Sequence, residues 1–199
     1  RALARSLDTE VQSFPHASQE GGDVSTDVAY LGPSDANTLI VVSSGTHGVE
    51  GYAGAACQFR FMQTYRERHA RNGIGYLLVH AVNPWGYRHD RRGTREGVDL
   101  NRNFVDFPLA PDAFRGYDEY HALLVLNYRP LPAGTWNELS LFGGALSATR
   151  RKAMQAAITA GQYRHPDGLF YGGSAPTQSR RGKYVTAESV SSHHTVTRP

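Results

Sequence analysis

Two runs of consecutive apolar residues constrain this chain more than any other feature. Leu39, Ile40, Val41 and Val42 form the first, inside TLIVVSSG (38–45), and GIGYLLVHAV (73–82) carries the second. Neither run alternates with polar residues, which is the pattern of strands covered on both faces in a parallel sheet. Between them lies HGVEGYAGAACQFRFMQTYRERHA (47–70), small residues near its start and Arg66, Glu67 and Arg68 at its far end, which reads as a helix. Strand, helix and strand at this spacing predict a βαβ unit, and with it the α/β class. VAYLGP, ahead of a PSDAN turn, predicts one more strand.

The rest of the chain is less regular. Residues up to about 26 are polar, with mixed helical and turn character and little signal. NPWG reads as a turn, and 87–103 is dense in arginine, aspartate and glycine, so a long loop is expected; such loops are uncommon in compact domains unless functional. Helices are expected around EYHALLVLNY (119–128) and ALSATRRKAMQAAITAG (145–161). After Gly173 the text turns to serine, threonine and basic residues without apolar period, which predicts a poorly ordered tail over 177–199.

Composition excludes several classes. At 199 residues and 40% hydrophobic, the chain can build the core of one domain. Its net charge of +3 comes almost wholly from arginine, Lys152 and Lys183 being the only lysines. No block of like charge of the kind a nucleic-acid arm carries is present, so no nucleic-acid partner is expected. A single cysteine, Cys57, forbids an internal disulfide and favours a reducing compartment. No apolar run approaches the length of a membrane span, so a cytoplasmic protein without a membrane partner is expected. Because the chain opens on Arg1, its reading frame is expected to start upstream.

The chemistry concentrates directly after the first apolar strand. His47 and Glu50 form an H-x-x-E pair. Residues three apart on a helical turn face one side, so an imidazole and a carboxylate can converge on one ion. Nitrogen and oxygen donors of this kind suit zinc. A bare H-x-x-E is more often a surface pair on a helix; here the position at a strand's C-terminal end, where open α/β sheets place ligands, changes the weighting. Gly45, Gly48 and Gly51 surround the pair and permit a tight turn and a close approach. The glycines do not make a dinucleotide fingerprint, since G-x-G-x-x-G would need glycine where Thr46 or His47 stands. Downstream, Arg91, Arg92, Arg95 and Arg102 crowd round Asp99 and Asn101. The planar guanidinium fork matches a carboxylate, so this loop can hold an acidic substrate end or be a solvated, salt-bridged loop.

Taken together, SGTHGVEG, NPWGY and GVDLNRNF, in that order and each after its strand, resemble the zinc carboxypeptidase superfamily. That group includes carboxypeptidase A-type peptidases and deacylases of the aspartoacylase and succinylglutamate desuccinylase kind. TDVAYLGP, SSGTHGVEGYAG, HAVNPWGY, VDLNRNFVDF and GQYRHPDGLFYGG are similar to an uncharacterised bacterial branch of it, known only as a domain of unknown function. The resemblance spans about residues 15 to 176. It implies a mixed β-sheet flanked by helices, lacking its C-terminal part.

The resemblance also implies roles. His47 and Glu50 match the first two ligands of a single zinc ion, and Asp99 the residue that accepts the other ring N–H of His47. Arg92 matches the catalytic arginine that polarises the scissile carbonyl, with adjacent Arg91 the alternative. Asn101 and Arg102 match the pair that binds a substrate's terminal carboxylate. The implied activity is zinc-dependent hydrolysis of an amide bond beside a free carboxylate, on a small peptide or an N-acyl amino acid.

Two parts of the family pattern have no counterpart. The third zinc ligand, a histidine on a later strand, and the general base, a glutamate nearer the C-terminus, do not occur after Gly173. His193 and His194 sit in the polar text and are expected to face solvent, and Glu188 has no matching context. His80 ends a strand near the site and is expected to be structural or to support a ligand from behind, while His165 lies in GQYRHPDG without an assigned role. The expectation is a partial metallocarboxypeptidase-like domain over 1–176, followed by a disordered or out-of-frame tail over 177–199. A competing expectation is a non-catalytic remnant that binds zinc or a small carboxylate and turns over nothing.

Overall fold

The two apolar runs become neighbouring parallel strands. In a computed structural model of the protein, which describes residues 1–16, 24–70, 73–109, 115–125 and 148–180, β3 (Thr38–Ser43) and β4 (Ile74–His80) pair in parallel from Thr38↔Ile74 to Ser43↔Val79. A parallel pair needs a crossover, and α2 (Gly51–Thr64), prolonged by a π-helical turn (Tyr65–His69), provides it. The chain divides into two compact units, Arg1–Arg95 with Thr177–Pro199, and Glu96–Pro176.

In the first unit, α1 (Ala2–Ser6) precedes β1 (Val11–His16) and β2 (Val24–Leu31). The four-stranded sheet has the order β1-β2-β4-β3, with β1·β2 and β2·β4 antiparallel, so it is mixed. β1 was not legible in the polar opening segment. Its residues alternate weakly, and Pro15 marks it as the edge strand it is. Arg1 is tied to β2, its Nε donating to Asp27 Oδ2 at 2.7 Å, and Ser13 of β1 donates to the same carboxylate at 2.8 Å.

Leu31, Tyr76 and Leu78 form a core against which Phe61, Met62 and Tyr65 of the crossover helix pack. The rings of Phe61 and Tyr76 lie 5.0 Å apart and those of Tyr65 and Tyr76 meet edge-on at 5.9 Å. β4 is buried from Gly75 to Val79, as its continuous apolar text predicts. β3 is not. Leu39, Ile40 and Val41 are 45%, 41% and 51% exposed, and among the described residues β4 is the only strand paired with it. An unbroken apolar run reports that both faces of a strand are apolar; whether anything lies over them depends on its place in the sheet. Among the described residues, β4 lies between two strands and β3 lies at the edge.

The stretch after β4 contains more structure than a turn and a loop. α3 (Pro84–Arg88) occupies NPWG and its neighbour, and in the second unit α4 (Leu100–Asn103) forms within DLNRNF. A 3-10 turn (Arg115–Tyr117) leads into α5 (Asp118–Leu124), and α6 (Ala148–Ala160) matches the expected helix there. The parts of the helix expectations over 126–128 and 145–147, the tail over 181–199, and His193, His194 and Glu188 lie outside the described residues. No helix among the described residues is long and apolar enough to cross a membrane.

Candidate functional site

The C-terminal ends of β3 and β4 continue side by side beyond the sheet. Val82 N–H donates to the Ser44 carbonyl at 3.0 Å and Asn83 N–H to the Gly45 carbonyl at 2.8 Å. This brings the His47 turn against the NPWG segment. Gly45 adopts φ +70, a backbone conformation that favours glycine. Gly48 is required for contact: a Cβ built there would stand 1.9 Å from the Gly86 carbonyl carbon.

His47 lies in the turn before α2, and Glu50 is that helix's N-cap residue. His47 Nδ1 and Glu50 Oε2 are 3.0 Å apart, the imidazole 5% and the carboxylate 61% exposed. The ring therefore forms a buried base and the carboxylate an accessible rim. Arg92 Nη1 reaches the other carboxylate oxygen, Glu50 Oε1, at 3.1 Å. Three residues singled out from sequence thus meet: His47, Glu50 and Arg92.

Arg92 is held from behind by a residue that the sequence reading passed over. Asn83 is 1% exposed and caps α3, its side-chain oxygen accepting from Gly86 N–H at 3.0 Å. Its amide donates to the Arg92 carbonyl at 3.3 Å and the Gly93 carbonyl at 2.8 Å, fixing the loop to the helix start. Asn followed by Pro at the first helical position was the signal, since that pair is a favoured helix entry. Gln58 is a second buried node. It accepts from Ser44 Oγ at 2.9 Å and donates to the carbonyls of Val42 and Val79, tying α2 to the ends of both strands. His80 Nδ1 lies 3.3 Å from the same Ser44 hydroxyl, so His80 joins this buried polar network. Burial pushes the His80 imidazole below its ordinary pKa, with Asp27 partly opposing the shift.

Asp99, Asn101 and Arg102 belong to the second unit. Asp99 is 3% exposed and caps α4, its Oδ1 accepting from Asn101 N–H at 2.9 Å. Asn101 is exposed on that helix. Arg102 runs past Gly161, whose φ of +83 and missing Cβ leave it room, and its guanidinium lies 5.7 Å from the Phe170 ring centre. Arg102 Nε is buried without a hydrogen-bond partner. A buried guanidinium donor left unsatisfied costs free energy, and a carboxylate is the acceptor its geometry matches.

GQYRHPDGLFYGG folds on itself around Gln162, which is 1% exposed. Gln162 Oε1 accepts from the backbone of Arg164 and His165, and its amide donates to the His165 carbonyl at 2.6 Å. Fully buried Asn103 joins α4 to this loop, donating to the carbonyls of Gly172 and Ala175.

These features define an α/β protein with a mixed sheet and a histidine, glutamate and arginine cluster beyond the ends of its parallel strands. The chain belongs to a protein family of unknown function, DUF2817, whose family model matches residues 1–197. No curated protein matches it. Among solved structures it is similar to a carboxypeptidase A from Helicoverpa armigera, at 21% identity over 52% of this chain and 31% of that one, with a TM-score of 0.39. It is also similar to a protein from Shewanella frigidimarina described as a succinylglutamate desuccinylase/aspartoacylase, at 20% identity over 56% of this chain and 31% of that one, TM-score 0.39. The chain therefore spans less than a third of the length of either structure.

Proposed function

We propose that this chain is a zinc-dependent hydrolase of amide bonds next to a free carboxylate, of the metallocarboxypeptidase or N-acyl-amino-acid deacylase kind. The observation that carries the reading is the convergence of His47 Nδ1 and Glu50 Oε2 at 3.0 Å with Arg92 on the same carboxylate. Two donors of one tetrahedral zinc ion stand about 3.4 Å apart, so the pair fits such an ion with little movement. When bound, zinc supplies Lewis acidity, polarising a carbonyl and acidifying water to a pKa near 7.

The remaining work falls to side chains. His47, buried in its turn, and Glu50 at the rim would hold the ion. Arg92 carries fixed positive charge at the same rim, where it can stabilise negative charge that develops on a carbonyl oxygen. Asn101 and Arg102 would take the substrate carboxylate, and the unpartnered Nε of Arg102 supports that role. Substrates are then small peptides or N-acyl amino acids.

The second reading is a remnant that binds zinc or a small carboxylate without turnover: the sequence after Gly173 offers no counterpart of the superfamily's third zinc ligand or general base. One experiment separates the two: zinc content of the full chain, together with hydrolysis of a panel of peptides and N-acyl amino acids. One equivalent of zinc lost from the chain, together with turnover, in His47→Ala supports the hydrolase. Zinc lost in the same variant, without turnover in the parent, supports the remnant. A parent chain that binds no zinc after loading overturns the hydrolase, and one that also binds no small carboxylate overturns the remnant.

A further inference from the structure

The second unit carries a constellation that the proposed hydrolase does not use. His121 lies on α5, and His165 and Asp167 lie in the loop organised by Gln162. One donor atom from each of the three falls within 4.8 Å of the other two. The two imidazoles stack at 3.8 Å between ring centres, 19° from parallel, and His121 Nε2 is 3.6 Å from Asp167 Oδ1. The loop is pinned to the helix entry as well, with Leu169 N–H donating to the hydroxyl of fully buried Tyr117 at 2.8 Å.

We propose that His121, His165 and Asp167 form a binding site for one zinc-class divalent cation. Four observations support this. First, two imidazoles and one carboxylate are the donor set that zinc and its neighbours prefer over calcium or magnesium. Second, His165 Nε2 lies 2.8 Å from Asp118 Oδ1, and Asp118 is itself held by Arg164 at 2.8 Å. A carboxylate there fixes the proton on Nε2 and leaves Nδ1 of His165 with its lone pair for a metal, the usual support of a ligating histidine. Third, His121 presents Nε2 to Asp167 Oδ1 at 3.6 Å, close to the roughly 3.4 Å that separates two donors of one tetrahedral ion. Fourth, Asp167 is 69% exposed, so its side chain can close the gap to the roughly 3.4 Å spacing of tetrahedral ligands. Three protein ligands leave a coordination position open to solvent.

The test uses the full chain, stripped with a chelator and titrated with zinc, and with cobalt as a spectroscopic probe. The background is the His47→Ala, Glu50→Gln double variant, which removes the cation proposed for the hydrolase. On it, one equivalent of cation should remain, with the visible absorption of tetrahedral or five-coordinate cobalt. Asp167→Ala, at an exposed position that does not bear on folding, should weaken that binding at least tenfold. His165→Ala should abolish it, and Asp118→Asn should weaken it about 10–100-fold. A double variant that binds no cation overturns this site, as does retained affinity in Asp167→Ala and His165→Ala together. The two proposals fail separately: cation lost only with His47 and Glu50 defeats this one, and cation lost only with His165 and Asp167 defeats the other.

Discussion

Gly48→Ala tests the contact that assembles the candidate site. A methyl group at Gly48 would lie 1.9 Å from the carbonyl carbon of Gly86, 2.1 Å from the nitrogen of Tyr87 and 2.4 Å from the oxygen of Gly86. All three are backbone atoms, so no rotamer change relieves the overlap. Ordinary contact requires the His47 turn and α3 to separate by roughly 1.5 Å. Overpacking costs about 1–3 kcal/mol. The separation also strains bonds beside the contact, Gly51 N–H to the Gly48 carbonyl at 3.0 Å and Tyr87 N–H to the Asn83 carbonyl at 2.9 Å. Each is worth about 1 kcal/mol. The expected loss is therefore about 3–5 kcal/mol, or roughly 6–20 °C in Tm for a chain of this size. Gly116→Ala is the control, because a Cβ there meets only the Ala157 Cβ, at 3.6 Å. Its stability should change by less than about 1 kcal/mol. Thermal and urea unfolding followed by circular dichroism would measure both. If Gly48→Ala melts within 2 °C of the parent, the turn does not pack on Gly86 and the geometry argued for His47 and Glu50 is wrong.

Three further outcomes follow from the same structure. Asn83→Ala removes a helix cap and strands two carbonyls, and should cost about 2–4 kcal/mol in urea unfolding, whereas Asn83→Asp keeps the cap and should recover part of it. Arg92→Ala breaks an ion pair whose partners are 47% and 61% exposed, so stability should fall by no more than about 1 kcal/mol. If Arg92 stabilises developing charge, kcat should nevertheless fall about 10²–10³-fold, and equal small losses in both would refute that role. Burial holds His80 and His16 below their ordinary pKa, so the unfolded chain binds more protons than the folded one in the window just below about 6.5. Their contribution to stability is full above that value and is lost as pH falls through the folded pKa. Measured with chelator present, Tm should drop between pH 7.5 and 5.5, and His80→Gln should flatten the slope.

Much of the first unit was legible because its signals are local. An apolar run, a helix rich in small residues and a second run can form little but a βαβ unit, and an imidazole and carboxylate three residues apart meet within one turn. The expectation for β3 failed on a non-local question, namely what lies over Leu39, Ile40 and Val41. β1 was missed because its polar text forms a strand only beside β2. Asn83 and Gln58 were missed for a related reason. A buried amide is recognised by the carbonyls it satisfies, and those come from other segments.

What the sequence alone determined, then, is the α/β class, the crossover and the His47 and Glu50 pair, each set by periodicity or spacing within one stretch of chain. The tertiary structure decided the sheet order, the edge position of β3, and the meeting of Arg92 with Glu50. It alone brought His121 from a helix to His165 and Asp167 in a distant loop. Such contacts are closed by folding, and no period in the sequence encodes them.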